Sequence, residues 1–270
     1  MRRYWEPVAT TPRRRRSYRP MPWWRGGDAL PEWRGIMIAS VADGADLALR
    51  PTGRECFVPT VRATAVVFDL GGVLIEWDPR RLYRQLFDDP AAMESFLSEV
   101  CTPAWNARLD AGRSWPEAVE SLAREFPAQR DVILAYDARW EEMLGGAIEG
   151  TVQILAELRD AGISCYALSN WSAAKFVLTR PRFPFLEWLE GIVISGDVGA
   201  SKPDPAIYRV LVARYGLTPS TTVFVDDAEP NVLVAADLGF RAIRFTGAPR
   251  LREDLRRLGL PLAAAAASAG

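Results

Sequence analysis

The chain has 270 residues, is 49% hydrophobic and 25% charged, and carries a net charge of −1 with 3 Cys and no His. Such a chain can bury a full globular core and has no overall charge that would draw it to nucleic acid. The missing His excludes Ser-His-Asp and Cys-His catalysis and His-ligated metals, so any metal must sit on oxygen or on isolated thiols.

Residues 1–60 differ from the rest: they hold 11 Arg against 6 acids, whereas residues 61–270 hold 22 Lys and Arg against 28 acids. The stretch PRRRRSYRPMPWWRGG has neither helical nor strand period and lacks the apolar core of a secretory signal. Its Arg-rich start invites reading as a transit peptide or a nucleic-acid arm. The plainer expectation is a disordered leader, or translation from a start upstream of the true one, with Met37 as the alternative. From residue 62 the pattern becomes orderly. TAVVFD (64–69) predicts a buried strand. Between 80 and 145, PRRLYRQLF, AAMESFLSEV, WPEAVESLAREF and QRDVILAYDARWEEML have helical spacing, and LGGAIEG breaks the run.

Helix TVQILAELRDAG follows, with Gly162 as its C-cap, then strands ISCYAL (163–168) and EGIVIS (190–195). Helix DPAIYRVLVARYG (204–216), strand TTVFVD (221–226), helix EPNVLVAADLG (229–239) and strand RAIRF (241–245) complete the series. The Ala-rich residues 259–270 read as a frayed, low-complexity tail. Apolar strands alternating with amphipathic helices predict an α/β fold, a parallel sheet covered by helices on both faces. The core is expected over 62–79 and 146–258, with the helical block 80–145 inserted as a small lid. No apolar run reaches the ~18 residues of a membrane span. Cys56, Cys101 and Cys165 lack a CxxC spacing and read as buried thiols in a reducing, cytoplasmic setting.

In a parallel sheet, ligands bind outside the carboxyl ends of the strands. Asp69, the pair Ser169–Asn170 and the pair Asp226–Asp227 all follow apolar strands there, and Lys202 precedes a helix start. Lys202 and Lys175 are the only lysines beside 31 Arg; Lys175, on the helix after Asn170, reads as solvated. Each feature also has a structural reading. Ser169–Asn170 fits a turn or helix cap, Lys202–Pro203–Asp204 a solvated helix start, and Trp171 core packing. No GxGxxG or Walker loop is present, so nucleotide-binding readings have no motif behind them.

FDLGGVL, ALSN, SKPDPAIY and FVDDAEPN stand in the order and rough spacing of the four motifs of the haloacid dehalogenase (HAD) superfamily, which the chain resembles over about residues 62–258. The helical block sits where that family's small helical cap is inserted. The resemblance is closest to a sugar-phosphatase-like branch with a DLG first motif. It implies a Rossmann-like core and a covalent mechanism with Asp69 as nucleophile, forming an aspartyl-phosphate. A phosphate dianion beside three carboxylates carries a formal charge of about −5, untenable without a cation at an effective dielectric of ~20. The implied cofactor is Mg²⁺ on Asp69, the Gly71 carbonyl, Asp226 and Asp227, with Lys202 as further positive charge. Ser169 and Asn170 would hydrogen-bond phosphoryl oxygens, and Asn231 would brace the acidic loop. Substrate-contact candidates are Gly72, Trp171, and Asp110, Gly112 and Arg113 of NARLDAGRSW, which resembles the family's substrate loop; a plain helix connection is the alternative.

Many phosphatases of this family carry a second Asp, the general acid and base, where this chain has Gly71. Three readings remain. The first is a phosphatase of a small phosphorylated metabolite, sugar-phosphate-like, whose leaving group needs little protonation or is served by Glu76 or Asp78; those two read equally as surface charges. The second is a 2-haloacid dehalogenase, since halide leaves without a proton, with Arg108 or Arg113 holding an anionic substrate; the acidic pair argues against it. The third is a weakly active or inactive protein that binds a phosphorylated ligand or a partner.

Overall fold

The computed structural model describes residues 62–263. The leader 1–60 with Met37 and Cys56, and the tail from 264, lie outside the described residues; the start of the expected frayed tail is instead packed, with Leu260 and Leu262 buried in the core and the Ala263 N–H donating to Glu157. In chain order the elements begin with β1 (Ala65–Phe68) and β2 (Ile75–Trp77). Five helices follow: α1 (Arg80–Tyr83), α2 (Pro90–Glu99), α3 (Pro103–Asp110), α4 (Trp115–Glu125) and α5 (Arg130–Ala138). Next come β3 (Leu144–Ala147), α6 (Glu149–Asp160), β4 (Ser164–Ser169), α7 (Ala173–Thr179), β5 (Gly191–Ile194) and α8 (Ser195–Val198). The chain finishes with α9 (Pro205–Tyr215), β6 (Thr222–Asp226), α10 (Glu229–Asp237), β7 (Arg241–Arg244) and α11 (Ala248–Arg257).

The main sheet is parallel, in the order β5-β4-β1-β6-β7. Successive β1 side chains point to opposite faces, as a strand requires. Val66 and Phe68 join the core that includes Leu155 of α6 and Leu251 of α11. Ala65 and Val67 join Ile207, Tyr208 and Leu211 of α9. Helices thus cover both faces of a Rossmann-like sheet, which is why β1, β4 and β6 read as apolar runs. The register aligns their carboxyl ends: Phe68 lies opposite both Ala167 and Val225. Asp69 continues the ladder, its N–H donating to the Val225 carbonyl at 2.9 Å, so Asp69 and Asp226 emerge side by side.

Three local readings change. LGGAIEG is a strand: β3 pairs antiparallel with β2 as a two-stranded ribbon, and three-residue β2 is too short to show a period. The helix expected over QRDVILAYDARWEEML stops at Ala138, and a 3₁₀ turn at Trp140–Met143 buries Trp140 and Met143. Helix α11 lies beyond the expected last element; Leu251 and Leu255 bury its inner face, and Arg252 forks onto Glu157 of α6 with two 2.7 Å hydrogen bonds. Lys175 is also not solvated. Its ammonium pairs with Asp137 at 2.6 Å and lies 4.7 Å from the Trp115 ring centre. Cys101 and Cys165 are buried free thiols, as expected. No helix among the described residues is long and apolar enough to cross a membrane.

Candidate active site

After Asp69 the chain folds into a tight turn, with the N–H groups of Leu74 and Ile75 both donating to the Leu70 carbonyl at 2.9 and 2.8 Å. One Asp69 oxygen accepts the Leu70 N–H at 2.7 Å, which fixes the carboxylate against its own loop. Gly72 has φ 75°, and a Cβ there would collide with the Asp227 carboxylate. Two constraints, left-handed backbone and close approach of an acid, therefore demand glycine at this position.

Lys202 is almost fully buried and lies between two acids, 2.9 Å from Asp69 Oδ2 and 2.6 Å from Asp226 Oδ2. The other Asp226 oxygen accepts the Ala228 N–H and the Asn231 Nδ2, each at 2.9 Å, so Asn231 braces the acidic loop as expected. Asp204, two residues past Lys202, caps α9 by accepting the Ala206 N–H at 2.8 Å. The helix-start reading thus holds for Asp204 while Lys202 faces inward.

Asn170 holds the lysine from behind. Its Nδ2 donates to the Lys202 carbonyl and its Oδ1 accepts the Lys202 N–H, both at 2.8 Å. Its amide is engaged on main chain, which makes it a positioning residue for Lys202. Asn170→Ala strips both partners from part-buried backbone and is expected to cost about 1–3 kcal/mol, read as a lowered melting temperature.

One carboxylate oxygen from each of Asp69, Asp226 and Asp227 lies within 4.8 Å of the other two. Above them opens a cavity of about 220 Å³. Asp69, Gly71, Gly72, Ser169, Asn170 and Asp227 line its sheet side, and Trp77, Asn106, Asp110, Trp140 and Trp171 the remainder. A model of the haloacid dehalogenase-like hydrolase family matches residues 63–239. The chain belongs to the haloacid dehalogenase-like hydrolases. A sesquiterpene phosphatase from Aspergillus oryzae is 25% identical over 195 residues, covering 72% of this chain and 95% of the relative. A D-ribitol-5-phosphate phosphatase from Bacteroides thetaiotaomicron is 28% identical over 209 residues, 70% of this chain and 95% of the relative. A HAD-like hydrolase structure from Porphyromonas gingivalis superposes with a TM-score of 0.57 at 23% identity, over 74% of this chain and all of that one. A HAD-family enzyme from Bacteroides thetaiotaomicron, solved with magnesium and inorganic phosphate, gives 0.54 at 22% identity, over 68% and 95%. At these identities the structural likeness shows the fold.

The electrostatics of the hydrolase site follow from burial. Burial pushes Asp69 up to about 7, with Lys202 pulling it down and Asp226 pushing it further up. Burial works against the Lys202 charge, but Asp69 and Asp226 outweigh it and hold the ammonium above its ordinary range. Loss of hydration, then Asp226, raises Asp227, although that residue reaches solvent. The Ser169 hydroxyl hydrogen-bonds Asp69 and favours its ionised form.

The structure does not bring every sequence candidate to this hydrolase's cavity. Gly112 and Arg113 are exposed and line a separate depression beside Asp137, Ser172 and Lys175. The chain turns outward after α3, so of the candidates Asp110, Gly112 and Arg113 only Asp110 reaches the cavity wall. Glu76 and Asp78 are absent from the wall; Glu76 pairs with Arg81 at 3.4 Å and Asp78 with Arg80 at 3.4 Å. Sequence reasoning missed Trp77, Trp140 and Asn106 of the wall, and Ser195 behind it. Ser195 is fully buried; its hydroxyl donates to the Asp110 carbonyl at 2.7 Å and accepts the Trp171 N–H at 2.9 Å. Its signal was available, a polar residue ending the apolar run IVI, as Ser169 ends its own strand.

Proposed function

We propose that this hydrolase is a Mg²⁺-dependent phosphatase of small phosphomonoesters, sugar-phosphate-like in size and polarity. The observation that carries the reading is three converging carboxylates beside a single buried ammonium, which pairs with two of them. One lysine cannot neutralise three acids, and the deficit matches a hard dication with oxygen ligands. Asp69, Asp226, Asp227 and the Gly71 carbonyl would hold it; the oxygens of Asp69 and Asp226 already have protein partners, but each carboxylate keeps further acceptor capacity for an ion. When bound, the ion supplies neutralisation of phosphoryl charge. Asp69 attacks phosphorus and becomes an aspartyl-phosphate, which water hydrolyses. Lys202 holds Asp69 in place and offsets its charge. Ser169 steadies the nucleophile, and Asn170 fixes Lys202. Trp171 lines the wall, and its indole N–H is buried without a hydrogen-bond partner among the described residues. The helical segment after β2 serves as the cap, supplying Asn106, Asp110 and Trp140 to the leaving-group side. The magnesium and phosphate of the Bacteroides structure and the phosphatase relatives support the same reading.

The dehalogenase reading needs a cationic anchor for a carboxylate substrate, and Arg108 and Arg113 are both exposed and off the wall. The test is phosphate release from a panel of sugar phosphates. Release that requires Mg²⁺ and stops with EDTA is expected; chloride release from 2-chloropropionate that ignores EDTA overturns the reading. Mg²⁺ alone is also expected to raise the melting temperature. At 100 times its dissociation constant the stabilisation is about 2.7 kcal/mol, which a thermal-shift titration against EDTA reads directly.

A further inference from the structure

The first motif supplies a nucleophile and leaves the second position bare. An alkoxide leaving group needs a proton in the transition state, and the attacking water must lose one. Glu76 and Asp78 are held by arginines away from the cavity. Asp69 and Asp227, with Asp226 beneath them, are committed to the cation-binding floor. One wall carboxyl is left, Asp110 at the end of α3.

Its setting is that of a held proton donor. Asp110 Oδ2 accepts the Asn106 Nδ2 at 2.8 Å, and the Ser172 backbone N–H also donates to the carboxyl. Asn106 is itself fixed, because the Tyr136 hydroxyl donates to its Oδ1 at 2.9 Å. The Asp110 carbonyl is tied to Ser195. Among the described residues Asp110 forms no ion pair, so no cation holds it ionised. Burial pushes it up to about 7, the Ser172 and Asn106 hydrogen bonds oppose this, and the Asp69 charge adds to it. Such a group holds and releases a proton near neutrality, as an acid-base catalyst must.

We infer that Asp110 is the general acid and base of this hydrolase, doing from the end of α3 what the bare Gly71 cannot. The inference rests on the phosphatase reading above. In the first half-reaction an Asp69 oxygen bonds to phosphorus, and the bond from phosphorus to the leaving oxygen breaks with its electron pair. That oxygen takes the Asp110 proton and departs as the alcohol. In the second, the Asp110 carboxylate takes a proton from water, whose oxygen bonds to phosphorus. The bond from phosphorus to Asp69 breaks, the Asp69 carboxylate returns, and inorganic phosphate leaves.

The experiment compares wild type, Asp110→Asn and the double variant Gly71→Asp/Asp110→Asn, with Mg²⁺, on phenyl phosphate and p-nitrophenyl phosphate. Phenol, with a pKa of about 10, depends on a proton donor; the more acidic p-nitrophenol does not. Asp110→Asn is expected to lose about 10²–10⁴-fold of turnover on phenyl phosphate. On p-nitrophenyl phosphate it should still give a rapid, stoichiometric burst of p-nitrophenol at close to the wild-type rate, then turn over slowly for want of a base. Gly71→Asp should restore phenyl phosphate turnover in that background. There is room for it: a Cβ at position 71 has only the Trp77 Cβ nearby, at 4.0 Å. Equal slowing of the burst and of phenyl phosphate turnover, or no slowing of either, overturns the inference and leaves Asp110 a structural residue. Failure of the phosphatase reading shows elsewhere, in a wild type inactive on both probes or an Asp69→Asn variant that stays active, and removes this inference with it.

Discussion

Asp69→Asn is expected to abolish turnover while the metal-free protein melts at or above the wild-type temperature. The rate should fall by roughly 10⁴–10⁶-fold, the scale seen when a nucleophile that acts as part of a unit is removed. Asparagine keeps the size of the side chain and the acceptor for the Leu70 N–H, so the turn after β1 survives. It also relieves the floor of one of three crowded acids while Lys202 keeps Asp226 at 2.6 Å. The gain is about 1 kcal/mol, a common cost of a functional site. Phosphate release and a thermal melt in EDTA check both halves. Retained activity refutes the nucleophile, and a large fall in melting temperature refutes the electrostatic account.

Lys202→Met is expected to damage the protein most. It removes the single cation between two buried acids and leaves Asp69 and Asp226 facing each other. Breaking a buried pair from one side costs about 3–5 kcal/mol. At 2–4 °C per kcal/mol for a chain of this size, the melt should fall by roughly 6–20 °C. The deficit depends on pH with a defined sign. Asp69 already titrates at about 7 with Lys202 present, above an ordinary carboxylate, so its proton is bound more tightly in the folded state. Stability from such a group is fully present below the unfolded value, near 4, and is lost as pH rises through the folded value. Without the lysine that folded value rises further. The variant should therefore lag wild type more at pH 8 than at pH 5 when both are melted in EDTA. A deficit that does not change with pH would mean that lost packing, not charge, is responsible.

Much of the floor was legible because each part is the first polar residue after an apolar strand. Asp69, Ser169 and the Asp226–Asp227 pair follow from that rule once the sheet is read as parallel. Lys202 was legible because lysine is rare in this chain. The role of Asn170 was not: sequence shows a carboxamide near the strand-end acids, but only coordinates show both its ends on the Lys202 backbone. The wall was legible in part. NARLDAGRSW marks the approaching loop, yet whether Asp110 or Arg113 faces inward depends on where α3 ends and the chain turns. Trp140 was read as part of a long helix because its neighbours keep helical spacing; burial of the ring pulls that segment into a 3₁₀ turn. Helix α11, whose buried Leu251 and Leu255 sit among arginines, carried a readable four-residue spacing that was passed over.

The ribbon of β2 and β3 has a consequence for how this architecture changes. Asp78 N–H donates to the Met143 carbonyl at 3.0 Å, and Ile148 N–H to the Leu74 carbonyl at 2.9 Å. The long helical excursion therefore departs and returns through one stitched seam, its two ends already neighbours. Inserts with adjacent ends are the ones a host tolerates exchanging. A transplanted excursion at that seam would bring new cavity walls, while the acidic floor kept its register.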